Sequence, residues 1–286
     1  MNPPDACSQE DRARMDSLII TPEEVEAYDR DGVTVLRQIV SADWRARLEA
    51  AIDRDIEHPG PFYHGYEAEE GGRFHGNLRL WESDETLRDF CLHSPLPDLA
   101  RQFFRSTKIN LFYDQLFVKE AGTMNRTRWH NDQPYWPMRG WQVLSFWVAL
   151  DKTSADSGAL EFIRGSHHWN RWFQPEPFGT TAALSEYESN SEYEPIPDIE
   201  AARGGYDIVS WELEPGDAYV FHGLTVHGAG GNQMSNRRRR GYTIRYTGED
   251  VVYDARPGTN MHLRNATLND GDPLDSQQYP VLKRTQ

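Results

Sequence analysis

Behind Ser41 the apolar residues Trp44, Leu48 and Ile52 recur at three- to four-residue spacing, the period of one helix face, and Ser41 stands where an N-cap belongs. An earlier helix should start at Thr21-Pro22-Glu23-Glu24, with Thr at the N-cap, Pro in the first turn and Glu at the third position. It should stop before Gly32, after which Val33-Thr34-Val35-Leu36 reads as a short strand. Residues 84–105 look helical again, interrupted at Pro95 and Pro97. This helical front end is scaffold, expected to cover a sheet face. Residues 1–17 are polar and expected to be loose.

From Ile109 the period shortens to two. Tyr113, Gln115, Phe117 and Lys119 fall on one strand face; Asp114, Leu116 and Val118 fall on the other. Val143-Leu144-Ser145-Phe146-Trp147-Val148-Ala149-Leu150 is an almost unbroken apolar run, as expected of a buried central strand. Leu160-Glu161-Phe162-Ile163, Asp217–His222 and Gly241–Tyr246 add further short strands. Short strands with Gly- and Pro-rich turns predict a mainly β fold with flanking helices, its core a double-sheet jelly roll of the cupin type.

Two stretches break the pattern. Residues 57–80, rich in Gly, His and Pro, read as a surface loop or as a flap over a functional site. Residues 173–205 are acidic and aperiodic, with Glu186, Glu188, Glu192, Glu194, Asp198 and Glu200. A segment of this kind is a lid or a disordered excursion, and here it is expected to be an insertion between strands that edges the active site. One domain therefore spans 1–286: a mainly helical front end over 1–105, a jelly-roll core over 106–256 with the insertion at 173–205, and a C-terminal tail over 257–286.

Composition narrows the class. Hydrophobic residues make up 38% of the 286, and nine Trp are present, enough for a sizeable core. No apolar run approaches the roughly 20 residues that span a bilayer, and the first residues lack the basic-then-apolar signal pattern. Two cysteines, Cys7 and Cys91, fit no disulfide framework and suit a reducing cytoplasm. A formal charge of −15 has the wrong sign for nonspecific nucleic-acid binding. The expectation is a cytoplasmic monomer or homodimer whose partner is a small molecule, not nucleic acid or membrane.

Candidate chemistry centres on Arg128-Trp129-His130-Asn131-Asp132-Gln133-Pro134-Tyr135-Trp136-Pro137. On a strand, His130 and Asp132 share a face roughly 6–7 Å apart, so both can bind one metal ion. A third ligand should come from another strand, and the segment 219–232 supplies His222 and His227. Two histidines and a carboxylate with the opposite face open form the facial triad of non-haem Fe(II) oxygenases. Taken alone, His-x-Asp also suits a solvated turn before Pro134.

Three segments in order carry more information: Trp129-His130-Asn131-Asp132-Gln133-Pro134-Tyr135-Trp136-Pro137, then Asp156-Ser157-Gly158-Ala159-Leu160-Glu161-Phe162-Ile163-Arg164-Gly165-Ser166-His167, then Phe221-His222-Gly223-Leu224-Thr225-Val226-His227-Gly228-Ala229-Gly230-Gly231-Asn232. Together they resemble the phytanoyl-CoA dioxygenase family of Fe(II)/2-oxoglutarate oxygenases over roughly residues 20–256. The resemblance implies a double-stranded β-helix fold, Fe(II) as the metal, and 2-oxoglutarate and O2 as cosubstrates. It favours His130, Asp132 and His227 as ligands over His222, because the family ligand precedes Gly, small residues and then Asn, as His227 does.

The cosubstrate's far carboxylate needs a buried arginine fork, and Arg237-Arg238-Arg239-Arg240-Gly241-Tyr242-Thr243-Ile244-Arg245 offers candidates. The family spacing of about eleven residues past the distal His gives Arg238. A small residue two positions later, Gly241, gives Arg239 with one inserted residue, and alternation also sets Arg239 with Gly241 and Thr243. Arg239 is preferred and Arg238 stays open. Thr127 and Trp147 match positions that contact 2-oxoglutarate in similar enzymes. Gln115 and Lys119 share a strand face able to look into the barrel, and Tyr135 and Trp136 are candidates to wall a substrate site.

By the family mechanism, 2-oxoglutarate becomes succinate and CO2 while an unactivated C–H of a small organic molecule is oxidised. Hydroxylation is the default; desaturation, epoxidation or ring formation would use the same residues. Related halogenases replace the metal carboxylate with a small residue, and Asp132 is intact. Two readings come from other classes: a cupin-like binding protein without turnover, and a hydrolase or isomerase using Zn(II) or Mn(II) as a Lewis acid.

Overall fold

The computed structural model describes residues 19–67, 72–176 and 187–282. In helix α1 (Pro22–Asp31) the Thr21 hydroxyl accepts the Glu24 amide and the Glu24 carboxylate accepts the Thr21 amide. The helix ends at Gly32, whose φ of 76° is left-handed and whose N–H closes onto the Tyr28 carbonyl. Strand β1 (Val33–Leu36) follows, then α2 (Ala42–Glu57), capped by Ser41 and burying Trp44, Leu48 and Ile52. The interrupted helix is two, α3 (Glu85–His93) and α4 (Leu96–Phe104). The break falls at Ser94, where the following Pro95 disfavours helical backbone.

The remaining strands are β2 (Tyr66–Glu67), β3 (Arg73–Leu78), β4 (Ile109–Lys119), β5 (Thr127–His130), β6 (Met138–Arg139), β7 (Val143–Ala149), β8 (Leu160–Ile163), β9 (Ile208–Val209), β10 (Ala218–His222), β11 (His227–Ala229), β12 (Arg239–Thr247), β13 (Val252–Tyr253) and β14 (Val281–Leu282). Among the described residues they form an eight-stranded sheet, β1-β10-β7-β12-β4-β3-β2 with β14 beside β4, and a four-stranded sheet, β5-β11-β8-β9. A short β13-β6 pair stands apart. Every pairing in these sheets is antiparallel. Two antiparallel sheets facing each other are the double-stranded β-helix that the strand pattern predicts.

Alternation sorts the faces. Phe146, Val148, Tyr242, Ile244 and Tyr246 meet Trp44, Leu48, Phe90 and Phe103 of the helices in one apolar cluster. Each such side chain is worth about 1.5–3 kcal/mol of burial. The other faces turn inward, where Trp147, Tyr219 and Phe221 pack on Leu160 and Phe162 of the small sheet. Stability is concentrated on the helix side, which leaves the inner face room for polar residues.

Two expectations change. β3 pairs with β4, so Arg73–Leu78 is sheet and not loop or flap. The C-terminal residues are no tail: Leu263 and Tyr279 are buried, and β14 pairs with β4. The acidic insertion does leave after β8 and return before β9, though residues 177–186 of the expected lid lie outside the described residues, as do residues 1–17.

Candidate active site

His130 and His227 face each other across the β5–β11 pairing. With Asp132 they place one ligand atom each within 4.8 Å of one another. Asp132 Oδ1 lies 3.3 Å from His130 Nε2 and 3.9 Å from His227 Nε2. The strand does not carry Asp132, contrary to the i, i+2 expectation. β5 ends at His130, and Asp132 has helical backbone (φ −75°, ψ −41°) at the entry to a 3₁₀ turn over Gln133–Tyr135. That turn is pinned: Gln133 N–H donates to the Gly223 carbonyl at 2.8 Å, and Arg256 Nη2 to the Gln133 carbonyl at 3.1 Å.

Both imidazoles are set the same way. His130 Nδ1 lies 2.8 Å from the Arg128 carbonyl and His227 Nδ1 3.0 Å from the Thr225 carbonyl. An Nδ1–H donating to each carbonyl leaves Nε2 as the lone-pair nitrogen turned to Asp132. Burial, then the neighbouring His130, lowers His227 to about 4, so it is neutral as a metal ligand must be. Burial alone would raise the Asp132 carboxyl; the Arg245 guanidinium reverses this and holds it well below the usual carboxylate range. His222 is elsewhere. It ends β10 in the large sheet, its Nε2 lies 2.7 Å from the Trp141 carbonyl, and its Nδ1 accepts the Leu224 amide.

The triad opens into a cavity between the sheets that also exposes Gln115, Thr127, Tyr135, Trp136, Trp147 and Arg239. Arg239 is 2% exposed, with Cζ 5.2 Å from the Trp147 ring centre and Nε without a protein partner. Burial pulls its guanidinium down to about 10, still charged at neutral pH. Gly241 makes this packing possible, because a Cβ there would sit 2.0 Å from Trp147 Cζ2. Arg238 points away, paired with Glu120 and Asp53, and Arg240 is held by Asp151. Lys119 is buried but does not line the cavity: its ammonium donates to the carbonyls of Gly230 (2.6 Å) and Asn125 (3.0 Å). The inward face of β4 therefore reaches the cavity through Tyr113, Gln115 and Phe117 and not through its last residue.

Several lining residues escaped the sequence reading. Arg245 lies on the same β12 face as Arg239, with Nη2 3.5 Å from Asp132 Oδ2; strand alternation alone pointed to it. His64, Phe74 and Leu78 come from the stretch read as loop. Tyr187 comes from the acidic insertion and packs edge-on against Tyr135, ring centres 5.0 Å apart. Asn260 and Leu263 come from the presumed tail, and no local pattern marked them.

The donor set fits a hard-to-borderline divalent ion: two imidazoles, one ionised carboxylate, and the second Asp132 oxygen without a hydrogen-bond partner. A buried arginine in the same cavity, with no carboxylate partner among the described residues and an unsatisfied Nε, fits a dicarboxylate. A jelly roll with this triad and cation defines the Fe(II)/2-oxoglutarate-dependent non-haem oxygenases. The chain belongs to the phytanoyl-CoA dioxygenase (PhyH) family, whose sequence pattern matches residues 28–241, and is a 2-oxoglutarate-dependent non-haem iron dioxygenase using Fe(II), 2-oxoglutarate and O2. The peroxisomal phytanoyl-CoA dioxygenase of Rattus norvegicus is 22% identical, the match covering 91% of this chain and 78% of that one. Dioxygenase aneA of Aspergillus aculeatus is 21% identical over 88% and 80%. Among solved structures, the epimerase SnoN in complex with Fe3+, alpha ketoglutarate and nogalamycin RO is similar at a TM-score of 0.71, with 22% identity and coverage of 96% and 100%. EctD from S. alaskensis with 2-oxoglutarate and 5-hydroxyectoine is similar at 0.66, with 21% identity over 89% and 85%. No described helix is long and apolar enough to cross a membrane.

Proposed function

We propose that His130, Asp132 and His227 hold the iron, that Arg239 fixes the distal carboxylate of 2-oxoglutarate, and that the enzyme hydroxylates an unactivated C–H of a small, largely apolar molecule. The observation that carries this reading is the charged Arg239 guanidinium, buried in the cavity the triad faces with no carboxylate partner among the described residues. A Lewis-acid hydrolase or isomerase working without 2-oxoglutarate would not require it. When bound, iron and 2-oxoglutarate supply oxidative decarboxylation to succinate and CO2 and the oxidising power for C–H cleavage.

The chain's own residues orient and seclude. The Arg128 and Thr225 carbonyls aim the two imidazoles, and Phe221 and Phe162 pack against the His227 ring, with ring centres at 4.7 and 5.8 Å. Trp147 presents a flat wall beside Arg239. Phe74, Tyr113, Tyr135 and Trp136 make much of the remaining wall apolar, which supports a largely apolar substrate body and exclusion of bulk water. Tyr187 supports the insertion as a lid over that wall. The low cysteine content supports a cytoplasmic setting.

The test is anaerobic Fe(II) titration with a parallel assay of succinate formation. His130→Ala, Asp132→Ala and His227→Ala should each abolish turnover and weaken iron binding, whereas His222→Ala should retain iron. Iron lost by the His222 variant and kept by the His227 variant would overturn the ligand assignment.

A further inference from the structure

Two segments far apart in the chain carry hydrogen-bonding groups to the cavity and leave them unspent. Asn260 is the first. Its backbone N–H donates to the Tyr135 carbonyl at 2.7 Å, which ties it to the turn that Asp132 enters. Its side-chain Oδ1 accepts the His262 amide at 2.9 Å and caps the short 3₁₀ turn Met261–Leu263. An amide used this way has one orientation: Oδ1 faces the turn, and Nδ2 is the group left over. Asn260 lines the cavity, and its Nδ2 has no hydrogen-bond partner among the described residues. Tyr187 is the second. Its ring stands edge-on to that of Tyr135, and its hydroxyl likewise has no hydrogen-bond partner among the described residues. Burial pushes its ionisation up to about 12, so it remains a neutral O–H. The two segments are clamped together: Arg264 Nη2 lies 2.8 Å from Glu188 Oε2, and Asn190 Nδ2 donates to the Pro257 carbonyl at 3.1 Å.

Neighbouring polar groups are engaged. The Tyr135 hydroxyl donates to the Glu176 carbonyl (3.1 Å) and accepts the Glu176 amide (3.0 Å), and His64 Nδ1 lies 3.1 Å from the Phe62 carbonyl. Of the cations at the cavity, Arg239 is assigned above to the cosubstrate, Arg245 faces Asp132, and Arg126 is paired with Glu200. Those carried by the C-terminal segment are spent as well, Arg256 on the Gln133 and Met138 carbonyls and Arg264 on Glu188. Free donors without a free cation suit an uncharged oxygen acceptor, because an anion here would keep its charge uncompensated. A carbonyl oxygen has two lone pairs and no proton, so it takes both donors; a hydroxyl would need an acceptor in turn. We infer that Asn260 and Tyr187 are specificity-determining residues that donate to a carbonyl oxygen, so that the substrate is a neutral, largely apolar carbonyl compound. The inference rests on the oxygenase reading for the reaction, whereas the recognition it describes needs neither iron nor turnover. Leu78, Tyr113 and Leu263 give the rest of such a molecule an apolar bed.

The probes are 2-tetralone and tetralin, a bicyclic ketone and the hydrocarbon lacking its oxygen. Each is titrated by quenching of tryptophan fluorescence, since Trp136 and Trp147 line the cavity, with Fe(II) and 2-oxoglutarate present anaerobically and again without them. Wild type should bind 2-tetralone at least about tenfold more tightly than tetralin. Asn260→Asp keeps the capping oxygen and exchanges the donor for an acceptor. It should abolish that preference, leave tetralin within about threefold, and bind 2-aminotetralin more tightly than wild type does. Tyr187→Phe should lower the preference by about threefold. Equal affinities of wild type for the ketone and the hydrocarbon would overturn the inference, and so would binding of neither, or a preference that survives both substitutions. A ketone preference in a protein whose Fe(II)-loaded form takes up no 2-oxoglutarate sinks the oxygenase reading and leaves the recognition standing. Should Asn260→Asp unfold or lose iron, Tyr187→Phe decides: a reduced preference supports the inference and an unchanged one overturns it.

Discussion

Replacing Arg239 by Ala removes a charge that sits 2% exposed on the inner face of β12, against Trp147 and beneath no protein carboxylate. A 2-oxoglutarate bound there would keep its distal carboxylate out of water with nothing opposite it. Truncating one partner of such a pair costs ~2–5 kcal/mol, which is a rise in Kd of roughly thirtyfold to several thousandfold. Arg238→Ala is the contrast. Its pairs with Glu120 (3.1 Å) and Asp53 (3.4 Å) are partly exposed, and such pairs are typically worth less than ~1 kcal/mol of stability, with no bearing on the cavity. Arg237→Ala and Arg240→Ala should likewise leave the Kd nearly unchanged. Isothermal titration of 2-oxoglutarate into Fe(II)-loaded protein under anaerobic conditions separates these cases, and iron binding measured alongside should be intact in all of them. A steep loss at Arg238 with Arg239 silent would refute the reasoning, because it would mean that family spacing outweighs strand register.

Three further outcomes can be checked. Gly241→Val puts a Cβ 2.0 Å from Trp147 Cζ2, so it should displace that ring, weaken 2-oxoglutarate binding by calorimetry and spare iron. Tyr187→Ala opens the contact with Tyr135, so succinate formation uncoupled from substrate oxidation should rise; an unchanged rate would leave the insertion decorative. Asp114 lies behind the sheet, where burial lifts its carboxyl to about 7 against the lowering bonds from the Tyr242 hydroxyl (2.6 Å) and the Trp81 amide (3.1 Å). The unfolded chain releases this proton near pH 4 and the folded chain keeps it to about 7. Stability therefore falls as pH rises through that window and levels off above it. Asp114→Asn should remove the slope and add up to about 4 kcal/mol at pH 8, read by urea unfolding.

The fold was legible where the pattern was local. Thr21, Ser41 and Gly32 mark helix ends by their own chemistry, and the apolar run at Val143 marks the centre of the large sheet. Distinguishing Arg239 from Arg238 needed register: β12 is fixed by its pairing with β4 and β7, whatever the length of the loop before it. Lys119 shares the parity of Gln115, yet its strand end lies beside the Gly230 and Asn125 carbonyls, which take its ammonium. Asp132 reaches His130 through a turn that long-range bonds to Gly223 and Arg256 help to hold. His64, Tyr187 and Leu263 join the cavity from segments distant in the chain, and nothing in their neighbourhoods signals that meeting.

The two histidines stand on unequal footings. β11 is hydrogen-bonded on both sides, by β5 and β8, whereas β5 is the outer strand of the small sheet among the described residues, and Asp132 lies beyond its end. On the ligand assignment proposed above, one ligand is thus fixed by a ladder and the other two ride on a border that can fray. A captured ion would act as a rivet across that border, tying the outer strand to its neighbour. Amides of Arg128 and Trp129 should then exchange with solvent more slowly once the ion is bound, and metal capture and closure of the sheet become one event.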